Sequence, residues 1–520
     1  MSEQTTSSLG RQPLEVINNI ASYLSTADIC ALRLTCKAAN HRLTDFFLRR
    51  FFRTKQFWID EPSLQALIDM SAHPTISREL KHVALGSDHY HLCTSPLGTL
   101  AMSGAQIQQL RLRVASHQHL QRTGTSIAML TKAFANLPNL ETLSIRDFDN
   151  SIRSTALRKT THTLWSDVEA FDSYGTKAAS RATGHPIVTD WIKACTLNMS
   201  DDVNSIGDLF TTALVALAGA GARPSAIEVI IRDGRRWGLR DKAFYIPVYL
   251  QPSVKPMLYK LTKLHLDIAL GREIPCAIHT TLYRLGPGPL NTSSLLQNFL
   301  CLTPRLTWLR LGFDGSDYWT THQFLHWLGG GSRTKWSAAY SAVFTKPAKL
   351  ARLEHFEMAG AEVTFEILQQ LILRLSKTLR KLNLRGVTLR TTAHDQDHEV
   401  NTWSRFLIFL AHNTDLRSFG LWRAGVSGGD PSLHGGIKYK GNMHVHSTDN
   451  MKLYLEDLAQ EVQDQWDSTP GQFLSDTDTS EDEHGGESDD EDEMEVDDGE
   501  DGFEDDGDDD TDDDTGHINV

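Results

Sequence analysis

"LTKLHL" (residues 261–266), "LTWLRL" (residues 306–311) and "LRKLNL" (residues 379–384) share one pattern, Leu-x-x-Leu-x-Leu. The closing residues alternate apolar and polar, the period of a strand that buries one face. The leucine three places earlier turns the chain into that strand. Relaxing Leu to any apolar residue adds "LKHVAL" at Leu80, "LETLSI" at Leu140, "AIEVII" at Ala226, "LEHFEM" at Leu353 and "LRSFGL" at Leu416. Helical spacing precedes several of them, in "IAMLTKAFANLP", "SLLQNFLCLTP", "FEILQQLILRLS" and "WSRFLIFLAH". Repeated helix-then-strand units imply a parallel sheet lined on one side by helices.

The expected fold class is α/β (α+β overall), with an irregular leucine-rich-repeat solenoid over 77–425. Gaps between strings run from 26 to 86 residues, whereas regular repeats run about 20–29. Only the shortest gap fits. Either degenerate repeats fill the long gaps or the solenoid carries insertions, and polar 151–204 is the expected insertion. The competing reading is an unrelated α/β domain with leucines in its strands. A loop and a last helix, Met451 to Trp466, are expected over 426–474.

In a solenoid, residues alternating with the buried ones face the concave surface, where ligands sit. From Leu140 onward these positions hold Arg146, Arg232, Lys263, Arg310, Lys381 and Arg385 against Glu228, Asp267 and Glu357. Trp308 and Trp422 join them, and Trp and Arg are residue types that anchor interfaces. The six cations and two tryptophans are the candidate substrate-binding residues. Their charge points to an acidic or phosphorylated segment.

The charge of −15 conceals two opposite parts. From Ser475 onward there are 25 Asp and Glu and no Lys or Arg; removing them from 66 leaves 41 acidic against 51 basic residues. The body is mildly basic, and the tail (475–520) is too charged and too poor in apolar residues to fold. It is expected either to fold back over the basic face or to act as a solubilising segment. Ser475, Thr479, Ser480 and Ser488 each precede an acidic residue by three places, the pattern of acidophilic phosphorylation.

Other chemistry is thinly represented. No G-x-S-x-G, H-E-x-x-H or phosphate loop is present, "GGGSRTK" at Gly329 lacks phosphate-loop spacing, and "HYH" at His89 is weaker still. "HDQDHE", His394 to Glu399, reads as a solvated loop, so neither metal nor cofactor is expected. No run reaches the roughly 20 apolar residues of a membrane span, and 1–8 is expected to be disordered. Cys30, Cys36, Cys93, Cys195, Cys276 and Cys301 are scattered, which reads as reduced, mostly buried thiols of a cytoplasmic and/or nuclear protein.

The beginning of the chain, 9–55, is a separate helical module, followed by linker helices over 56–76. Pro13 suits a first helical turn. Ile17, Ile20 and Leu24 share a face, Ser25 caps a second helix ahead of Asp28, and Ile29, Leu32 and Cys36 continue the stripe. A third helix, His41 to Arg53, carries Leu43, Phe46, Phe47 and Phe51. So small a module wants a neighbour or partner.

"PLEVINNIASYL…D…LRLTCK" resembles the F-box, most closely the form in fungal F-box proteins with leucine-rich repeats. The resemblance implies binding to the Skp-type adaptor of a cullin-RING (SCF) ubiquitin ligase. Pro13, Leu14, Val16, Ile17, Ile20 and Leu24 match the family's first helix, and Asp28, Ile29, Leu32, Cys36 and Lys37 its second. Gln12 and Ala39 depart from it, standing where Leu and an aromatic are usual. It further implies a non-catalytic subunit that recruits a protein substrate through its repeats. A different class of reading is a non-ligase scaffold whose acidic tail binds basic nuclear proteins. No membrane and no specific nucleic acid are expected as partners.

Overall fold

The computed structural model describes residues 12–87, 103–148, 168–169, 171, 173–183, 205–232, 238–271, 293–313, 316–331, 346–390, 401–427, 435–436 and 450–468. The chain divides into two compact units, Met1–Ser475 and Asp476–Val520, and the second lies outside the described residues.

Three helices come first: α1 (Leu14–Ser22), α2 (Thr26–Thr35) and α3 (Lys37–Phe52). Pro13 is the N-cap of α1. Ser25 caps α2, accepting from the Asp28 N–H at 3.2 Å and donating to its carboxylate at 2.6 Å. Ile17, Ala21 and Leu43 make a small buried cluster completed by Leu32 and Phe46. Arg50 of α3 fastens the end of α1. It donates to the carbonyls of Ala21 (3.0 Å), Ser22 (3.2 Å) and Leu24 (3.4 Å), acceptors that a helix end leaves without intrahelical partners.

The sheet that follows holds β1 (Thr54–Trp58), β2 (His82–Gly86), β3 (Thr142–Arg146), β4 (Ala226–Ile230), β5 (Lys263–Asp267), β6 (Trp308–Gly312) and β7 (His355–Ala359). It skips β8 (Glu362–Thr364) and β10 (Thr388–Arg390) and ends on β9 (Lys381–Arg385) and β11 (Ser418–Trp422). All neighbours in this nine-stranded sheet pair parallel. A second ladder runs β8–β10–β12–β13, where β12 is Gly425–Ser427 and β13 is Gly435–Gly436. One left-handed residue separates the ladders in each of the last three units: Gly360 (φ 62°), Gly386 (φ 57°) and Arg423 (φ 50°).

Apolar alternation fixes which sheet face is inside. Leu264, Leu266, Leu309, Leu311, Leu382 and Leu384 are buried beside the leading Leu261, Leu306 and Leu379, each worth about 1.5–3 kcal/mol on burial. Helices Thr125–Ala135, Ser205–Ala220, Ser294–Cys301, Phe365–Leu375 and Thr402–Asn413 join them in one continuous core. The last described helix, Met451–Asp467, packs on Thr402–Asn413.

Two expectations need correcting. The segment 56–76 is not purely linker helices, because β1 occupies 54–58 before α4 (Glu61–Ala72) and α5 (Ile76–Glu79). The leading-leucine place of β1 falls on Phe52, still inside α3, and the next apolar place on Lys55, so no string announces the strand. Second, "AIEVII" is framed two residues late. Ala226 lies opposite Thr142 and Lys263, and buried Pro224 takes the leading-leucine place.

Candidate functional site: the helical surface and the inner sheet face

On the helical module, Pro13, Leu14, Val16, Ile20, Asp28, Cys36 and Lys37 are exposed, and Leu24 and Leu32 are half-buried. Ile17 (4% exposed) and Ile29 (0%) are instead core residues that hold the helices together. The surface is apolar where such a helix is usually polar: Leu14, Val16 and Ile20 each keep over 40% of their area in solvent. Tyr23 and Leu34, which sequence reasoning passed over, stand out at 84% and 86%. Their signal was a large apolar residue on a face that helical spacing assigns to water.

The two departures have local roles. The Gln12 carbonyl accepts from Arg42 Nη1 at 2.6 Å. The Ala39 N–H donates to Sγ of Cys36, the N-cap of α3, at 3.4 Å, and this bond holds the exposed thiol below its ordinary pKa. Phe47 stacks obliquely on Phe51 at 4.9 Å, with the Arg33 guanidinium 3.8 Å over its ring.

On the inner sheet face, neighbouring strands set polar residues in rows. One row reads Ser144, Glu228, His265, Arg310, Glu357, Asn383, Gly420. The candidate cations are largely matched within the chain. Lys263 meets Glu228 at 2.6 Å and Arg146 meets it at 3.7 Å; Arg310 meets Glu357 at 2.8 Å and Arg385 at 4.0 Å from it. Arg146, Arg232 and Arg310 are buried rather than displayed. Arg232 leaves the row altogether because of the two-residue frame shift. It lies past β4, its N–H donating to Asp147 at 2.8 Å and its guanidinium lying 3.8 Å from the Phe148 ring. Trp308 sits between the Lys263 ammonium (3.9 Å) and a stacked His355 ring (4.4 Å).

Burial sets the protonation states. It would raise Glu357, but the hydrogen bond from His355 and the Arg310 charge outweigh it and hold the carboxyl at about 2. Burial lowers His355, so the ring is neutral, with 2.6 Å between its Nε2 and Glu357 Oε1. His265, fully buried among Arg310, Lys263 and Arg146, is driven well below its ordinary value, which makes its 3.6 Å approach to Asp267 a neutral contact. His82 is brought to about 4 by burial and by Arg146. None of these histidines was singled out from the sequence.

A segment inside the expected insertion covers much of this face. Ser173 bridges Gln56 of β1, and Tyr174 N–H donates to the Gln56 carbonyl at 2.8 Å. Phe171 packs edge-on to His82 and 4.3 Å from the Arg146 guanidinium, which donates to the Glu169 carbonyl at 2.6 Å. Val168 packs on Phe148, Ile230 and Ala359. The segment thus flanks the edge of β1 and covers the inner face at β2 and β3, with Val168 against the Phe148, Ile230 and Ala359 cluster. Beyond it the inner face opens: Lys381, Asn383, Arg385, Ser418, Gly420 and Trp422 are all half-buried, whereas β7 buries Glu357 and Ala359.

Among the described residues no group of three His, Cys, Asp or Glu is arranged to hold a metal, and no helix is long and apolar enough to cross a membrane. Of the six cysteines, Cys30, Cys36 and Cys301 are thiols that are half-buried or exposed, and Cys93, Cys195 and Cys276 lie outside the described residues. His89, His394, His398, Ser475, Thr479, Ser480 and Ser488 lie outside the described residues.

Residues 13–51, the helical module, match the model of the F-box domain family. No curated protein matches the chain. Among solved structures, a chain of the crystal structure of the Rad7 and Elc1 complex in yeast is similar at 11% identity, over 78% of this chain and 87% of that one, with a TM-score of 0.25. A likeness that low bears on neither fold nor partner.

Proposed function

We propose that the protein is a substrate-recognition subunit of an SCF-type cullin-RING ubiquitin ligase. The observation that carries this is the F-box match at 13–51 on helices that leave Leu14, Val16, Ile20, Tyr23 and Leu34 in solvent. Burying such a patch against a Skp-type adaptor would remove apolar area from water at about 25 cal/mol per Å². The sheet then reads as a leucine-rich-repeat solenoid of the kind found with fungal F-boxes, which holds a target protein. Bond chemistry takes place on other subunits, and this chain contributes proximity. The cytoplasm or nucleus is the proposed setting.

Affinity purification from cells tests the reading, with wild type beside Leu14→Asp/Ile20→Asp. Both residues are exposed, so the helices keep their core. Adaptor and cullin should accompany wild type and be lost from the variant. Adaptor without cullin would favour the non-ligase scaffold, and equal recovery on both baits would sink the docking surface.

A further inference from the structure

The inner face is uniform in topology and uneven in access. From β2 to β7 its third and fifth strand positions are buried, beneath Phe171 at β2 and β3 or in ion pairs such as Lys263–Glu228 and Arg310–Glu357. At β9 and β11 the burial pattern alternates through the whole strand, so inward-facing side chains reach solvent. Those side chains have a definite chemistry. Lys381 and Arg385 stand four residues apart on one face of β9, about 13 Å at the rise of a strand. Lys381 forms no ion pair among the described residues, and Arg385 reaches buried Glu357 only at 4.0 Å, where Arg310 and His355 already meet it more closely. Trp422 lies directly opposite Arg385 in the register, and Asn383 opposite Gly420, where the missing side chain leaves its amide room. Exposed Arg423 lies 4.6 Å over one face of the Trp422 ring.

We propose that the inner-face residues of β9 and β11 (Lys381, Asn383, Arg385 and Trp422) form the site that takes an extended, Asp/Glu-rich peptide segment of a partner protein. Two cations about 13 Å apart match carboxylates spaced along an extended chain better than one phosphate. Asn383 lies between them with both a donor and an acceptor for peptide backbone. Trp422 offers a flat surface for an apolar residue of the segment. In the proposed ligase this segment would belong to the recruited target, so the inference rests on that reading for its biological meaning but not for its chemistry.

The test uses the purified full-length chain and a fluorescein-labelled twelve-residue peptide rich in Asp and Glu, read by anisotropy without ligase components. Wild type should bind it, and Lys381→Glu/Arg385→Glu should weaken binding at least tenfold. Lys381→Gln/Arg385→Gln should weaken it less, and Lys349→Glu/Arg352→Glu, the same charge change on exposed residues before β7, should leave it within twofold. Melting temperatures are measured alongside, and only variants that melt with wild type are compared. Undiminished binding by both β9 variants, equal loss in the Lys349/Arg352 control, or tighter binding of a peptide with a single phosphoserine would overturn the proposal. Failure here with adaptor binding intact removes this site alone; loss of adaptor binding with peptide binding intact removes the ligase reading alone.

Discussion

The N-terminal helices and the nine-stranded sheet use large apolar residues in opposite ways. The sheet hides them: every leading leucine and every alternate strand residue from β5 to β9 is buried, and the polar inner face is neutralised by pairs such as Lys263–Glu228 and Arg310–Glu357. The helices share a small core of Ile17, Ala21 and Leu43 and leave Leu14, Val16, Ile20, Tyr23 and Leu34 in water. A region that satisfies itself needs no partner, and the one that does not is where the proposed docking falls. The same contrast recurs within the sheet, where β5 to β7 bury the middle and last of their inward-facing residues and β9 and β11 leave theirs half-buried.

The largest effect should come from breaking the sheet side of this contrast. Leu264→Ala empties a fully buried position and should cost about 2–5 kcal/mol in denaturant unfolding, whereas Ile20→Ala on exposed α1 should stay within about 0.5 kcal/mol. Acid comes next. An unfolded chain protonates its histidine near 6.5, but native His82 does so only near 4, so stability falls as pH drops through that window. Glu357, near 2 when folded against an ordinary 4.5, extends the loss below pH 4.5. Each shift is worth on the order of 3 kcal/mol, and His82→Gln should flatten the melting profile between pH 6.5 and 4 only. Smaller still, Arg50→Ala removes the clasp on the end of α1 and should raise amide exchange there by about 1 kcal/mol of local stability. Smallest, Arg423→Gly should stabilise by about 1 kcal/mol, because an L-residue there holds the φ of 50° that Gly360 and Gly386 adopt in the same place.

Much of this was legible in the sequence. Seven strings placed their strands to the residue, since burying one face imposes a period of two, and the helices before them followed from 3.6-residue spacing. What escaped was non-local. β1 breaks the pattern because Lys55 stands in its second apolar place, and β4 starts after Pro224, so alternation alone put Arg232 on the wrong side of a strand end. Charge and alternation marked Arg146 and Arg310 as displayed, yet both are buried, Arg146 beneath Phe171 and against Glu228, Arg310 against Glu357. Only the fold brings such groups together. In the helical module the ordered motif located the domain, but helical spacing did not separate core Ile17 and Ile29 from exposed Leu14 and Ile20.

That separation is the most direct point of attack. Purified Skp-type adaptor is titrated against wild type, Ile20→Ala and Ile17→Ala, with local stability of the helices followed by hydrogen exchange. Ile20→Ala should weaken adaptor binding several-fold at unchanged exchange, and Ile17→Ala should speed exchange across α1 and α3. If Ile20→Ala binds as wild type does, the exposed face of α1 is not a docking surface and the account fails at its centre.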